Sequence, residues 1–255
     1  MARNAEFSRR LLLSVDAVGY GRGDDQRHRA IQTGLLAVME RAAVAAGLDR
    51  SVWVKQQAGD GELAILPADQ SEPVIVDDFV RELTTALTQH NEDLRDEVRL
   101  RLRLAVHFGA AAPAANGFAG KGVIVVSRLV DCAQIKSALQ ALPTADLAVI
   151  LSAQVYSDVV VPRYTSHTAT SFREVLVRNK EFTEAAYLLV PGHDILAVEL
   201  EATGGDDRSS ADESRARTGQ SGTEPSTAGA QPTSSTVING NVNMSHGVIG
   251  MVWNQ

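Results

Sequence analysis

Two carboxylates carry the chemistry in this chain of 255 residues. Asp16 closes the run Leu11, Leu12, Leu13, Ser14, Val15, so an otherwise apolar strand ends on an acid, followed by Ala17, Val18 and Gly19. An acid at the end of such a strand costs several kcal/mol to bury unless it is solvated, paired or bound to a cation. Asp60 stands in Ala58-Gly59-Asp60-Gly61 between two further strand-like runs, where Asp-Gly tolerates the positive φ that a hairpin needs. Turn chemistry alone accounts for an Asp at that place. If the hairpin tip faces Asp16 across neighbouring strands, the two acids offer hard oxygen donors suited to a divalent cation.

The elements that must position them follow from hydrophobic period. Strands are predicted over 11–15, 52–56, 62–66, 98–108, 147–151, 172–177 and 185–190, and helices over 29–47, 76–94, 123–142 and 153–161. Gly109 to Gly122 is rich in Ala, Gly and Pro and reads as a loop over the site. The order is β-α-β-β-α-β-α-β-α-β-β, an α/β chain with helices packed on a sheet. Arg99, Arg101 and Arg103 alternate with leucines and read as the solvated face of a strand.

A net charge of −7 and 44% hydrophobic residues argue for a globular domain and against a general nucleic-acid binder. Cys132 is the one cysteine, so no disulfide forms within the chain and a reducing cytoplasm is expected. No apolar run approaches the ~20 residues of a membrane span, and no membrane association is predicted. From about 203 to 235 the sequence turns to Gly, Ser, Thr, Pro and charged residues, the composition of a disordered linker. The chain is thus divided into a domain over 1–200, a linker over 201–235 and an apolar, Asn- and Gly-containing peptide over 236–255. The peptide between Val237 and Trp253 is too short to fold alone, and either binds a protein partner or docks on its own domain.

With these elements in order, Ser14-Val15-Asp16-Ala17-Val18-Gly19-Tyr20 resembles the first metal-binding motif of the class III nucleotidyl cyclases, the adenylate and guanylate cyclase catalytic domains. Gly59-Asp60 is similar to the family's second motif, a Gly-Asp at a hairpin tip. Arg103-Leu104-Ala105-Val106-His107-Phe108-Gly109 resembles its Arg-x-Gly-Ile-His-x-Gly. The stretch from Gly120 to Leu129 is similar to Gly-x-x-Val-Asn-x-x-x-Arg-Leu. The resemblance covers about 11–190 and implies a ferredoxin-like domain, with a mostly antiparallel central sheet flanked by helices, working as a head-to-tail homodimer on a nucleoside triphosphate. It implies two ions, Mg²⁺ or Mn²⁺, held by Asp16, Asp60 and the backbone carbonyl of Ala17, which ready the ribose 3′-hydroxyl and neutralise the phosphates. Arg128 would come from the opposite subunit to the phosphoryl transition state, and Lys180 would contact phosphate.

The sequence also departs from that pattern. The family's transition-state asparagine falls on Ile124, which cannot hydrogen-bond through its side chain. The base-selecting lysine falls on Gln56, with Lys55 one residue away, and its acidic partner falls on Gly117. Neither adenine nor guanine selection is supported, so a non-standard base is expected, as in the pyrimidine cyclases of bacterial antiviral signalling. The rival reading is an inactive cyclase fold that binds a nucleotide or dimerises and recruits a partner through its last residues. Outside the resemblance, pairing with Asp131 or another carboxylate accounts for Arg128, a hydrogen-bonded core or edge position accounts for His107, and a core position accounts for Cys132.

Overall fold

A computed structural model of the chain describes residues 8–19, 24–114, 117–179 and 181–200, apart from the side chain of Ala58. Lys180, the linker and the C-terminal peptide lie outside the described residues. β1 (Ser8–Ala17) lies inside an eight-stranded sheet with β2 (Val54–Ala58), β3 (Gly61–Ile65), β4 (Leu102–Ala114), β5 (Gly117–Ala119), β6 (Leu147–Ser152), β7 (Arg173–Asn179) and β8 (Phe182–Leu189). The order is β2-β3-β1-β4-β6-β8-β7, and β5 folds back on the end of β4. Every pair is antiparallel except β4 with β6, whose crossover carries two helices, as parallel pairing requires.

Those helices, α3 (Lys121–Val130) and α4 (Ala133–Ala141), cover one face of the sheet. α1 (Asp25–Ala45), α2 (Glu72–Val74, the wide turn Ile75–Phe79 and Val80–Asn91) and α5 (Ala153–Val155 with the wide turn Tyr156–Val160) cover the other. Strand alternation assigns β1 to both layers. Leu11, Leu13, Val15 and Ala17 join Leu35, Phe79 and Leu83 on the α1 side, and Leu12 joins Val126, Leu129 and Ile135 on the α3 side. Ser14 and Asp16 therefore share the α3 face with Leu12. α1 is started by Asp24, whose side chain accepts the Arg27 N–H at 2.8 Å.

Four expectations are corrected. Residues 109–122 are not a loop: β4 continues to Ala114, and β5 returns along it. Small residues are needed there because α3 starts directly on the strand; a Cβ on Gly109 would meet the Gly122 Cα at 2.9 Å. The single helix over 123–142 is broken at Cys132, whose extended backbone (ψ 154°) turns the chain so that Ile135, Ala138 and Leu139 reach the core beside Val126 and Leu129. α1 begins inside the charged segment, at Asp25, because its cap is Asp24.

Nor are the alternating arginines a solvated strand face, since β4 begins only at Leu102. Arg99 Nη2 binds Asp146 at 2.6 Å. Arg101 donates to the carbonyls of Leu139, Leu142 and Ala145 at 2.6–2.7 Å, at and beyond the end of α4. Arg103 turns inward.

Candidate functional site

The β2–β3 hairpin turns through Gly59, at φ +59°, and its tip is fixed from two sides. Gln32 of α1 donates to the Gly59 carbonyl at 3.0 Å, and the Ala17 N–H donates to the Asp60 carbonyl at 3.0 Å. Asp16 pairs with Gly61 in register, so the sequence-predicted acids lie at neighbouring ends of β1 and the hairpin. Gly61 has no side chain to fill the space beside Asp16: a Cβ there would stand 3.5 Å from Asp16 Oδ1 and 2.7 Å from the Val15 carbonyl oxygen. Burial pushes the Asp60 carboxyl above its ordinary pKa, opposed by a hydrogen bond to its own backbone and by nearby His28.

Asp16 opens into a cleft of about 380 Å³ bounded by Ser14, Gln56, Leu63 and, from α3 and its end, Ser127, Val130 and Asp131. The register sorts the base-selecting candidates. Gln56 pairs with Leu63, which pairs with Ser14, so Gln56 belongs to the cleft row. Its amide lies over Gly117, where a Cβ would come within 2.3 Å of Gln56 Oε1. Lys55 pairs with Ala64 in the row of the opposite face, and its Nζ donates to the Arg50 carbonyl at 2.5 Å. No one-residue slip brings Lys55 into the cleft.

Arg128 and Asp131 do not pair, contrary to the simplest sequence reading. Arg128 Nη1 donates to Asn179 Oδ1 at 3.4 Å, at the end of β7, while Asp131 binds Lys136. Arg128 is not among the residues bounding its own chain's cleft. Ile124 is 57% exposed on the outer side of α3. Cys132 is buried, as expected, and so is His107, though among the described residues it lacks the hydrogen bond at Nδ1 that a satisfied core histidine would make. Burial, helped by Arg9 and Lys121, holds the His107 imidazole down to about 4.

The residue that sequence reasoning missed is Arg103. It stands opposite Asp16 in the β1–β4 register, and its Nη2 donates to Asp16 Oδ2. The available signal was an arginine inside an apolar strand, which needs an acid partner if it is buried.

Asp16 Oδ1 and the Asp60 carboxyl are hard oxygen donors of the kind a divalent cation takes, although Asp60 does not border the cleft that Asp16 opens into. Asp60, half-buried and destabilised as an anion, would gain from such a cation. Among the described residues no three His, Cys, Asp or Glu gather as a complete ligand cluster, so backbone or substrate oxygens would have to complete the shell. No described helix is long and apolar enough to cross a membrane.

No protein-family model matches the chain, and no curated protein matches it. Solved structures do. An adenylate/guanylate cyclase/hydrolase from Silicibacter pomeroyi superposes with a TM-score of 0.54 at 20% identity, over 74% of this chain and 99% of that one. A bacterial light-regulated adenylyl cyclase gives 0.50 at 13% identity, over 73% of this chain and 91% of that one. A second structure of that description gives 0.51 at 13%, over 74% and 54%. The chain has the fold of these cyclase domains.

Proposed function

We propose that this chain, built on the fold of the class III cyclase domains, is a nucleotidyl cyclase that converts a nucleoside triphosphate to a 3′,5′-cyclic nucleotide and pyrophosphate. The observation that carries the reading is that Asp16 borders a roomy cleft and the hairpin turn bearing Asp60 is tied to the end of the same strand, two motifs far apart in sequence. Asp16, Asp60 and the Ala17 carbonyl would hold Mg²⁺ or Mn²⁺, which supplies charge neutralisation at the triphosphate and a more acidic 3′-hydroxyl. In the reaction the 3′-oxygen loses its proton and bonds to the α-phosphorus, and the bond to the β-phosphate oxygen breaks.

The chain's residues prepare that geometry. Gly61 leaves the approach to Asp16 open, and the clamp of Gln32 and Ala17 on the hairpin keeps Asp60 beside it. Gln56, with both a donor and an acceptor, faces the cleft where a base would lie. That amide can pair with cytosine or uracil as well as with a purine, and it is the loss of both purine-selecting residues that favours a pyrimidine cyclase of a defence system. Arg128 would serve the cleft of a second copy in a head-to-tail dimer, a reading supported by its absence from the lining of its own. By the family resemblance, Lys180 would contact phosphate.

The chemistry is tested by incubating the purified protein with Mn²⁺ and each of the four ribonucleoside triphosphates. A cyclic product and equimolar pyrophosphate are expected from at least one, with at least a hundredfold loss in Asp16→Ala. The absence of product from all four removes the reading. Ile124 favours a second reading, a nucleotide-binding or dimerising module without turnover, since its exposed apolar side chain has no donor for a transition-state oxygen. Triphosphate binding with no product would select it.

A further inference from the structure

We propose that Arg103 is a positioning residue, a buried counter-ion that holds Asp16 while no divalent cation is present and releases it by moving to Asp131. The inference rests on reading Asp16 as a cation ligand. The Arg103 side chain is 12% exposed and that of Asp16 24% exposed, and the two bind through one guanidinium nitrogen and one carboxylate oxygen. Arg103 Nε is buried without a hydrogen-bond partner among the described residues, so the pairing satisfies the guanidinium only in part. A cation ligated by Asp16 would lie against this positive charge at short range, with little water between them to screen it.

A second acceptor stands on the same cleft. Asp131 bounds it together with Asp16, and is the leading favourable charge acting on Arg103 against the burial that lowers the guanidinium's pKa. The Asp131 side chain is 60% exposed and bound to the exposed Lys136, a solvent-screened pair that is easily exchanged. Arg103 therefore has two anions within the compass of one cleft. The free site resists a lone cation. A cation that arrives with a triphosphate brings negative charge that offsets its repulsion from Arg103, so the cation can take Arg103's place at Asp16. Arg103 thus orders binding so that the nucleotide and the cation enter together.

Titration with Mn²⁺ alone, followed by the electron paramagnetic resonance of the free ion, reads this without turnover. Arg103→Met is expected to tighten Mn²⁺ binding at least tenfold, and adding Asp16→Asn to it should abolish the gain. Asp131→Asn in the wild-type chain is expected to loosen binding at least threefold, but to change nothing in the Arg103→Met background. An Arg103→Met protein that binds Mn²⁺ no more tightly than wild type overturns the proposal. An Asp131→Asn effect that persists without Arg103 overturns the movement to Asp131. If Arg103→Met does not fold, Arg103→Gln, which removes the charge but keeps a polar side chain, is measured instead and must still tighten binding. Failure of the Mn²⁺ response in a chain that makes cyclic product sinks this inference alone. An intact response without product sinks the cyclase reading alone.

Discussion

Among the described residues, Arg50 and Glu62 form a deeply buried ion pair whose members depend on one another. Arg50 and Glu62 are 4% and 3% exposed and bind directly, with the Arg50 guanidinium also over the Trp53 ring at 5.4 Å. Removing one partner strands the other in an apolar layer, which costs far more than the pair itself contributes. Glu62→Ala is expected to cost about 3–5 kcal/mol of unfolding free energy, read by denaturant titration. A loss under 1 kcal/mol would show that Glu40, 3.6 Å from Arg50, or water takes over. Asp16 and Arg103 follow the same logic at the cleft. Asp16 could be read from the sequence because an acid ended an apolar run. Arg103 was legible only as an arginine in an apolar strand, since its alternation with leucines fits a solvated face until the β1–β4 register sets it opposite Asp16.

At the scale of elements, the site depends on two close approaches of backbone, the hairpin against the end of β1 and the start of α3 against β4. A Cβ on Gly122 would stand 2.9 Å from the Gly109 carbonyl carbon and 3.0 Å from the Ala110 oxygen, so the helix start must lift to accept one. Gly122→Val is expected to destabilise the domain by about 1–3 kcal/mol, seen as a lower melting temperature. An unchanged Tm would show that α3 is free to shift. The β2–β3 hairpin was legible because Gly59-Asp60-Gly61 is strong turn chemistry, and α1 because its apolar positions recur at helical spacing. The strand over 109–114 was not, because Ala and Gly mark a loop by composition and a tight helix–strand contact only by packing. The break at Cys132 was equally hidden, since apolar spacing continues across it.

For the whole molecule, acid should weaken the fold. His107 titrates near 4 in the folded chain against about 6.5 unfolded, so the unfolded chain binds the proton first as pH falls. Its contribution is complete above about pH 6.5 and is lost towards pH 4, up to roughly 3 kcal/mol. Burial lowers His90 and His167 as well and adds slope of the same sign, while the raised carboxyls of Asp60 and Glu72 act in the opposite sense. Denaturant unfolding at pH 7 and pH 4.5 should show a clear loss for the wild-type chain and a smaller one for His107→Gln. Equal losses would remove His107 as the main cause.

The central claim is a cyclising site that takes Asp16 and Asp60 from one copy and Arg128 from another, and mixing two inactive variants tests it most directly. Asp16→Ala and Arg128→Ala should each make almost no cyclic nucleotide alone. Mixed in equal amounts and allowed to exchange subunits, they should recover about a quarter of wild-type activity, since half the dimers are mixed and each has one intact site. No recovery from two folded, exchanging variants, or no product from the wild-type chain beside them, would contradict the account.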